Sequence, residues 1–433
     1  MQNSYHQVKN HTLYLLTAIY FLWLLAVLLI FGFTPTNDGV GYIELAEHCL
    51  TQGQPYPTTT VYQTEPFIWN IGIINLVELS LWLTNTIWPV LLLLCLLKSF
   101  ICLLTGLIAK QLFNHRIAII TILLFMLYPN NWGQSTMISS EIPSTCLALA
   151  TVWIAVSQRN LFFGGILLAL ANWFRPTATI FLICIILYFI FICRQYRLQN
   201  IIKIIAGYVV FIMIVGTSCL IRTGHFVYQS RSYWFSMVDE CYDGAEVAPH
   251  WNQPIWPEGT PRYIENHEEM NCFNFERIWR QRSISWLKDH PLEYLSKIPG
   301  RLYYMYQSDY DNMTVFLKDK SQPENNFITI PFKHLLSEAS TLNVAQWLSL
   351  LCLLLYVCLL LMTFTGTIQL ITQARYDALF LPLLIAVGGS LLLVLIMHGE
   401  TRFKDPLMPF IFMLAAVGVE KMLYKLRLLN NGK

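Results

Sequence analysis

Residues 13–48 read LYLLTAIYFLWLLAVLLIFGF and then TPTNDGVGYIELAEH. The first part is an apolar run of about 20 residues, the length that an α-helix needs to cross the ~30 Å hydrocarbon core of a membrane. It carries no charge and no small-residue cleavage site, so an uncleaved transmembrane helix is favoured over a signal peptide. The second part is a polar turn that contains Asp38. We therefore expect the chain to cross a membrane and to present a carboxylate where the first helix ends.

The composition of the whole chain supports a membrane location. Of its 433 residues, 55% are hydrophobic and only 12% are charged, about half the charged share of an ordinary soluble domain. The formal net charge of +2 gives no electrostatic reason to expect a nucleic acid as partner. These values predict an all-α polytopic membrane protein.

The positions of the cationic residues predict the orientation of the helices. Further apolar runs lie at about 67–84, 87–109, 117–128, 143–157, 161–174, 176–193, 204–221, 341–365, 376–397 and 403–423. Lysine and arginine near helix ends mark the cytoplasmic side. They all reach that side only if the run at 67–84 does not cross, and its Asn70, Asn75 and Glu78 fit an interfacial helix. About ten crossings remain, with both termini in the cytoplasm.

This topology divides the chain into three parts. We expect an N-terminal transmembrane module at 1–221 with its first external loop at 34–86, an extracytoplasmic cap at 222–340, and C-terminal transmembrane helices at 341–433.

The cap contains its own helical pattern. Residues 275–287 place apolar side chains at i, i+3 and i+4, which predicts an amphipathic helix that ends at His290-Pro291. Cys241 and Cys272 both fall in the cap and can pair if it faces an oxidising compartment.

Four polar clusters fall on the predicted outer face. They are Asp38 with Tyr42, Tyr56 and Glu65 in the first loop; Glu141 after two serines; Arg175 in an apolar hairpin; and His398, Glu400 and Arg402 in a charged turn.

Each cluster also admits a structural interpretation. Asp38 can cap the helix that starts near Val40, Glu141 can be an acid favoured by the dipole at a helix start, and Arg175 can be an interfacial anchor. Glu400 and Arg402 can simply pair with each other.

The functional interpretation treats these residues together. Guanidinium groups bind phosphate oxygens in a bidentate way, so Arg175 and Arg402 suggest recognition of a phosphate or pyrophosphate. A partly desolvated Asp38 can serve as a proton acceptor at neutral pH. The sequence contains no Walker loop, dinucleotide-binding glycine motif, His-Glu-x-x-His or nucleophile elbow, so nucleotide, metalloprotease and serine hydrolase chemistry lack support.

These motifs resemble those of the GT-C-type integral-membrane glycosyltransferases, the group that includes protein O-mannosyltransferases and the lipid A aminoarabinose transferase. The matching pieces occur in the family's order: Asp38-x-x-x-Tyr42-x-x-x-Ala46, Gly53-x-Pro55-Tyr56, Ser140-Glu141-x-Pro143, Phe174-Arg175-Pro176-Thr177, the stretch from Trp286 to Leu295, and Gly399-Glu400-x-Arg402-Phe403-x-x-Pro406-x-x-Pro409.

The resemblance implies a fold and a set of residue roles. It implies a GT-C-like bundle with Asp38 as general base and with Arg175 and Arg402 on the carrier phosphate. Supporting roles in binding the sugar or the acceptor fall to Tyr42, Tyr56, Glu65, Glu141, His398 and Glu400. The O-mannosyltransferases have an Asp-Glu pair in the first loop where this chain has Asp38-Gly39. A protein hydroxyl is therefore one acceptor among several.

The resulting hypothesis is an inverting transfer of a sugar from a polyprenyl-phosphate donor to an extracytoplasmic glycan, lipid or protein. We expect a multi-pass protein of the bacterial inner membrane with its site on the periplasmic face. The lipid-linked sugar is the co-substrate, no metal ligand is assigned, and a requirement for a divalent metal stays open. The alternatives are a lipid or glycolipid transporter or flippase, which should show inverted repeats and broken helices at the midplane, and a non-catalytic scaffold.

Overall fold

The computed structural model is built from helices. It describes residues 2–55, 70–194, 196–243, 245, 258–259, 261–266, 270, 272–316, 342 and 344–431. Among these residues there are α-helices, short 3₁₀ turns and one π turn, and no strand. The predicted all-α fold class is therefore confirmed.

The helices of the first half begin with the long apolar run. They are α1 (Gln2–Phe31), α2 (Asn37–Gln52), α3 (Ile71–Thr84), α4 (Trp88–Leu112), α5 (His115–Leu127), α6 (Asn130–Gly133), α7 (Glu141–Val156), α8 (Leu161–Phe174), α9 (Thr179–Phe191) and α10 (Arg197–Thr223).

The helices of the second half begin in the predicted cap. They are α11 (Ser232–Met237), α12 (Cys272–Asp289), α13 (Pro291–Ser296), α14 (Ile298–Tyr306), α15 (Asp311–Phe316), α16 (Val344–Thr372), α17 (Tyr376–Leu383), α18 (Gly389–Ile396) and α19 (Met408–Asn431). As predicted, α12 ends directly before His290-Pro291.

Several helices are long and apolar enough to cross a membrane. Among the described residues five qualify, or six if the bent pair Asn130–Thr136 and Glu141–Val156 forms one span. Four further apolar helices are shorter, including α3. The prediction of about ten crossings, and of an α3 that does not cross, therefore stays a prediction.

The buried core of the bundle lies where α4, α5, α7 and α19 meet. The stretch from Pro406 to Gly418 is buried throughout, so α19 is a central helix. Of the predicted cap, α14 packs on α18 and α15 packs on α6 and α16. These two short helices therefore belong to the bundle's surface layer, although the division into three parts remains a prediction.

Glycines allow two helix pairs to pack backbone against backbone. A β-carbon on Gly165 of α8 would lie 2.0 Å from the Ile204 carbonyl oxygen of α10, and one on Gly207 would lie 1.9 Å from the Phe162 oxygen. On α16, a β-carbon on Gly366 would lie 2.0 Å from the Leu414 oxygen of α19. Small residues at such crossings replace side-chain packing with close backbone contact, as is typical of helix pairs in membranes.

Candidate active site

Asp38 lies in the first turn of α2 and is not its cap. The helix begins at Asn37, and the Thr36 hydroxyl accepts the Gly39 N–H at 3.0 Å, which is the N-cap hydrogen bond. The structural interpretation of Asp38 as the cap of a helix that starts near Val40 is therefore wrong. Threonine fulfils the capping role because it precedes the first helical residue, and the Asp38 carboxylate is left free for other partners.

Arg402 is the partner of Asp38. It belongs to the 3₁₀ turn Thr401–Lys404, and its Nη1 lies 2.5 Å from Asp38 Oδ2. Its Nε lies 2.5 Å from Glu400 Oε1. The side chain of Asp38 is 28% exposed, whereas that of Glu400 is 2% exposed. The internal pairing of Glu400 with Arg402 thus exists, but it occupies only one edge of the guanidinium.

A second ion pair joins the start of α7 to the end of α8. Arg175 Nη1 lies 2.6 Å from Glu141 Oε1 and donates to Ser140 Oγ at 3.2 Å. Both side chains are almost fully buried. A buried, paired Arg175 is not the solvent-reaching anchor of the structural interpretation. Glu141 is the first residue of its helix, as that interpretation held, and it is also the counter-ion of Arg175.

The ring of Phe403 connects the two ion pairs of Arg402 with the one that Arg175 forms. The guanidinium carbons of Arg175 and Arg402 lie 5.7 and 5.9 Å from its centroid, within the range of a cation–π contact. The first loop, the start of α7, the end of α8 and the 401–404 turn therefore meet at one place. We call Asp38, Glu141, Arg175, Glu400 and Arg402 the charged cluster.

A network of neutral polar groups supports the charged cluster. Asn70 donates to the Tyr42 hydroxyl at 3.0 Å and to Ser140 Oγ at 3.1 Å. Ser139 Oγ donates to Glu141 Oε2 at 2.9 Å. Burial, and then the carboxylates of Asp38 and Glu141, raise the pKa of Tyr42 to about 12, so its hydroxyl is a hydrogen-bonding group and not a base near neutral pH.

Asn70 was not predicted as a site residue, because its place in the sequence indicated only an interfacial helix. Ser139 and Ser140 were noted as neighbours of Glu141 but were given no role. An amide directly before an apolar helix was the available signal.

Electrostatics in the 398–402 turn favours charged forms. Burial acts to raise the pKa of Glu400, but Arg402 and then His398 outweigh it and hold that pKa below its ordinary value. Partial burial acts to lower the pKa of Arg402, but Glu400 and Asp38 outweigh it and raise that pKa. His398 Nε2 lies 3.4 Å from Glu400 Oε2. His398 therefore contacts the cluster through Glu400.

Two predicted site residues, Tyr56 and Glu65, lie outside the described residues. The side chain of Cys272 does as well, so its pairing with Cys241 stays a prediction. Within the described ranges, no group of three His, Cys, Asp or Glu side chains is arranged to hold a metal ion.

Comparison with known proteins identifies the fold. A family model described as dolichyl-phosphate-mannose-protein mannosyltransferase matches residues 72–219, which include Glu141 and Arg175. The oligosaccharyltransferase of Archaeoglobus fulgidus, in its apo form, is similar in structure, with a TM-score of 0.55. The resemblance to the GT-C-type glycosyltransferases is confirmed.

The extent of each match limits which properties of these proteins can be assigned to this chain. The structural match covers 97% of this chain at 11% identity but only 51% of the archaeal one, so the chain spans about half the length of that protein. No curated protein matches the sequence. Asp38 and Arg402 lie outside the residues that the family model matches. The GT-C fold and an integral-membrane location are therefore established, and the residue roles and the chemistry are proposals.

Proposed function

We propose that this protein transfers a sugar from a polyprenyl-phosphate donor to a glycan, lipid or protein acceptor outside the cytoplasm. The single observation that carries the proposal is the charged cluster, in which two guanidiniums and three carboxylates from four distant segments form ion pairs around the Phe403 ring. The family model, which describes transfer from a lipid-phosphate sugar, supports the same chemistry. We place the site on the periplasmic face of a bacterial inner membrane, as the predicted topology implies.

The arginines would bind the donor phosphate. Three carboxylates already outnumber the two guanidiniums, so a phosphate would be favoured where it replaces a carboxylate rather than adds to the negative charge. Asp38 is the candidate for displacement because its side chain is 28% exposed, whereas Glu400 is 2% exposed and Glu141 is paired with Arg175 in the interior. Arg402 would then bind the phosphate, and the ion pair between Arg402 Nε and Glu400 would hold the guanidinium in place.

The displaced Asp38 would act as the general base. The acceptor hydroxyl oxygen attacks the anomeric carbon, Asp38 takes the hydroxyl proton, and the bond from carbon to phosphate oxygen breaks with its electron pair on the phosphate. The arginines stabilise the negative charge that develops on this leaving group. Phosphate leaves readily, so one inverting displacement is sufficient and no covalent intermediate is required.

The proposal does not restrict the acceptor to one chemical class. The Asp38-Gly39 sequence differs from the Asp-Glu pair of the O-mannosyltransferases, so glycan and lipid acceptors are included in the proposal along with protein.

The predicted supporting residues His398 and Tyr42 contact the cluster through Glu400 and Ser140. These contacts support roles in shaping the site rather than in the chemistry.

The test uses purified protein and a panel of radiolabelled polyprenyl-phosphate sugars. We expect at least one to release free polyprenyl phosphate, and the same preparation of Asp38→Asn to release it far more slowly. Release that is equally fast in both proteins would exclude the proposed base. Movement of the labelled lipid across a proteoliposome membrane with no release from any donor would favour the transporter or flippase alternative.

A further inference from the structure

A fully buried lysine lies two residues from Arg402 in the same 3₁₀ turn. The Lys404 ammonium donates to the carbonyl oxygens of Ser308 and Thr401 at 2.8 and 3.0 Å. It also forms an ion pair with Asp309 Oδ1 at 3.0 Å. An ammonium has three N–H donors, so these oxygens satisfy all of them without water. The Lys404 ammonium thus links the two ends of the 401–404 turn and also binds the segment between α14 and α15.

Asp309 is held to the bundle by other residues. The Tyr128 hydroxyl donates to its Oδ2, and Asn130 Nδ2 donates to its Oδ1 at 3.1 Å. Only 3% of Asp309 is exposed. Because Tyr128 and Asn130 flank the start of α6, Lys404 is connected through Asp309 to a part of the fold that is distant in sequence.

The residue after Lys404 is anchored separately. Asp405 accepts from Gln134 Nε2, and Gln134 in turn accepts from the buried Lys98 of α4. A polar cavity of about 20 Å³, room for about one water molecule, lies among these side chains and Glu141. The C-terminal end of the turn therefore has a fixed place, while the Arg402 side chain projects from it toward Asp38.

The position of the turn matters most when the phosphate is bound. If phosphate displaces Asp38, the guanidinium keeps Glu400 as its ion-pair partner and the Phe403 ring beside it. The long, rotatable Arg402 side chain is then located mainly by its own backbone. A displacement of about 1 Å from the productive place can weaken a catalytic contact by ~10²-fold.

We propose that Lys404 is a positioning residue for Arg402, because it fastens the turn that presents this guanidinium to the donor phosphate. The inference rests on the proposed function. Lys404 does not touch the substrate. It acts through Arg402, so its effect should disappear when Arg402 is absent.

The test variant is Lys404→Met with Asp309→Asn. Lys404→Met alone would leave Asp309 charged and unpaired in the interior and would endanger folding. The double variant leaves no uncompensated charge, and the amide oxygen introduced by Asp309→Asn can still accept from Tyr128. The matched control is Lys297→Met with Glu293→Gln, which neutralises another ion pair with a buried lysine, at 3.5 Å, outside the turn.

The measurement is the dissociation constant of farnesyl phosphate in detergent, with farnesol as the neutral comparison. We expect the wild type and the control to bind alike, the double variant to bind about 10-fold more weakly, and Arg402→Gln about 10- to 100-fold more weakly, the scale of a charge-assisted contact. Adding the double variant to Arg402→Gln should cause no further loss, because residues that act as one unit are not additive.

Three results would overturn the inference alone. They are unchanged binding in the double variant, an equal loss in the control, and losses that add fully to that of Arg402→Gln. The proposed function fails separately if the wild type binds farnesyl phosphate no better than farnesol or if Arg402→Gln changes nothing, and the positioning role then fails with it.

Discussion

Arg402 Nη1 lies 2.5 Å from Asp38 Oδ2, so the cation assigned to the donor phosphate and the carboxylate assigned to the acceptor proton are in direct contact. The two roles are therefore coupled. While Arg402 holds Asp38, the guanidinium occupies the carboxylate oxygen Oδ2, which an acceptor hydroxyl would have to reach. A phosphate that takes the guanidinium would leave Asp38 free to accept a proton. The donor would then prepare the base for the acceptor.

Replacing Asp38 with Asn should separate chemistry from binding. We expect the thermal stability to stay near that of the wild type, and the turnover to fall by about 10²–10⁴, the usual contribution of a general base. Farnesyl phosphate should bind up to a few-fold more tightly, because a partly exposed ion pair that competes with it, worth ~1 kcal/mol or less, is weakened. Thermal unfolding, the rate of sugar transfer and a farnesyl phosphate titration, all measured on one preparation, test these three expectations. Weaker binding in this variant would refute the competition between Asp38 and phosphate.

Thr36→Ala is the matched control for the Asp38 variant, because it removes the true cap of α2. It should lower stability by about 1 kcal/mol, and the Asp38 carboxylate should remain functional. A turnover loss as large as that of Asp38→Asn would mean that the turn, and not the carboxylate, determines the rate.

The two arginines should respond differently to substitution. Arg175→Gln leaves the buried Glu141 without its cation, so we expect a loss of stability of about 3–5 kcal/mol. Arg402→Gln should be tolerated better by the fold, since its own side chain is 38% exposed and the buried Glu400 keeps His398 Nε2 at 3.4 Å, and it should mainly weaken farnesyl phosphate binding. Adding Glu141→Gln to Arg175→Gln should recover part of the stability. Equal unfolding temperatures for the two single variants would contradict this division of roles.

The Tyr42 hydroxyl should contribute to stability through Asn70. In Tyr42→Phe the Asn70 amide loses a buried acceptor, and we expect a loss of about 1–2 kcal/mol. Tyr20→Phe is the comparison, because the Tyr20 hydroxyl is buried and has no hydrogen-bond partner among the described residues. That variant should be neutral or slightly more stable. Calorimetry or a thermal shift assay on both distinguishes a lost contact from a lost oxygen atom.

Asp405 should make stability depend on pH. Burial, and then the nearby Asp309 carboxylate, raise the pKa of Asp405 from its ordinary 3.8 to about 7. Between these values the folded state binds more protons than the unfolded state, so this group lowers the free energy of unfolding as pH rises from about 4 to 7. Asp405→Asn, compared with the wild type at pH 5 and pH 8, should lose less stability over this interval. An identical pH dependence would show that Asp405 does not titrate there.

The sequence predicted the members of the charged cluster because each breaks an apolar pattern. Arg175 in an otherwise apolar hairpin and the 398–402 turn between two strong apolar runs were visible without a structure. Asp38 was visible too, but the structural alternative, in which it caps the helix, was wrong. Thr36 and Asp38 are both good caps by residue type, and only the position of the first helical residue decides between them.

Other features depended on tertiary contacts that no local pattern records. Lys404 is in a turn that reads as charged and solvated, yet it is completely buried because Ser308 and Asp309 reach it from about 95 residues away. Lys98 is a cation in the middle of the apolar helix α4, and nothing near it in sequence indicates Gln134 as its partner. Buried charges of this kind become apparent only when distant segments meet.

The backbone contact between α8 and α10 determines where the site can widen. Sliding either helix along the other would drive an α-carbon substituent into a carbonyl oxygen, since only Gly165 and Gly207 leave room at the crossing. The two helices therefore move as one piece, and Arg175 at the end of α8 moves with them. The prenyl chain of the proposed donor would therefore have to enter elsewhere in the bundle than between this pair.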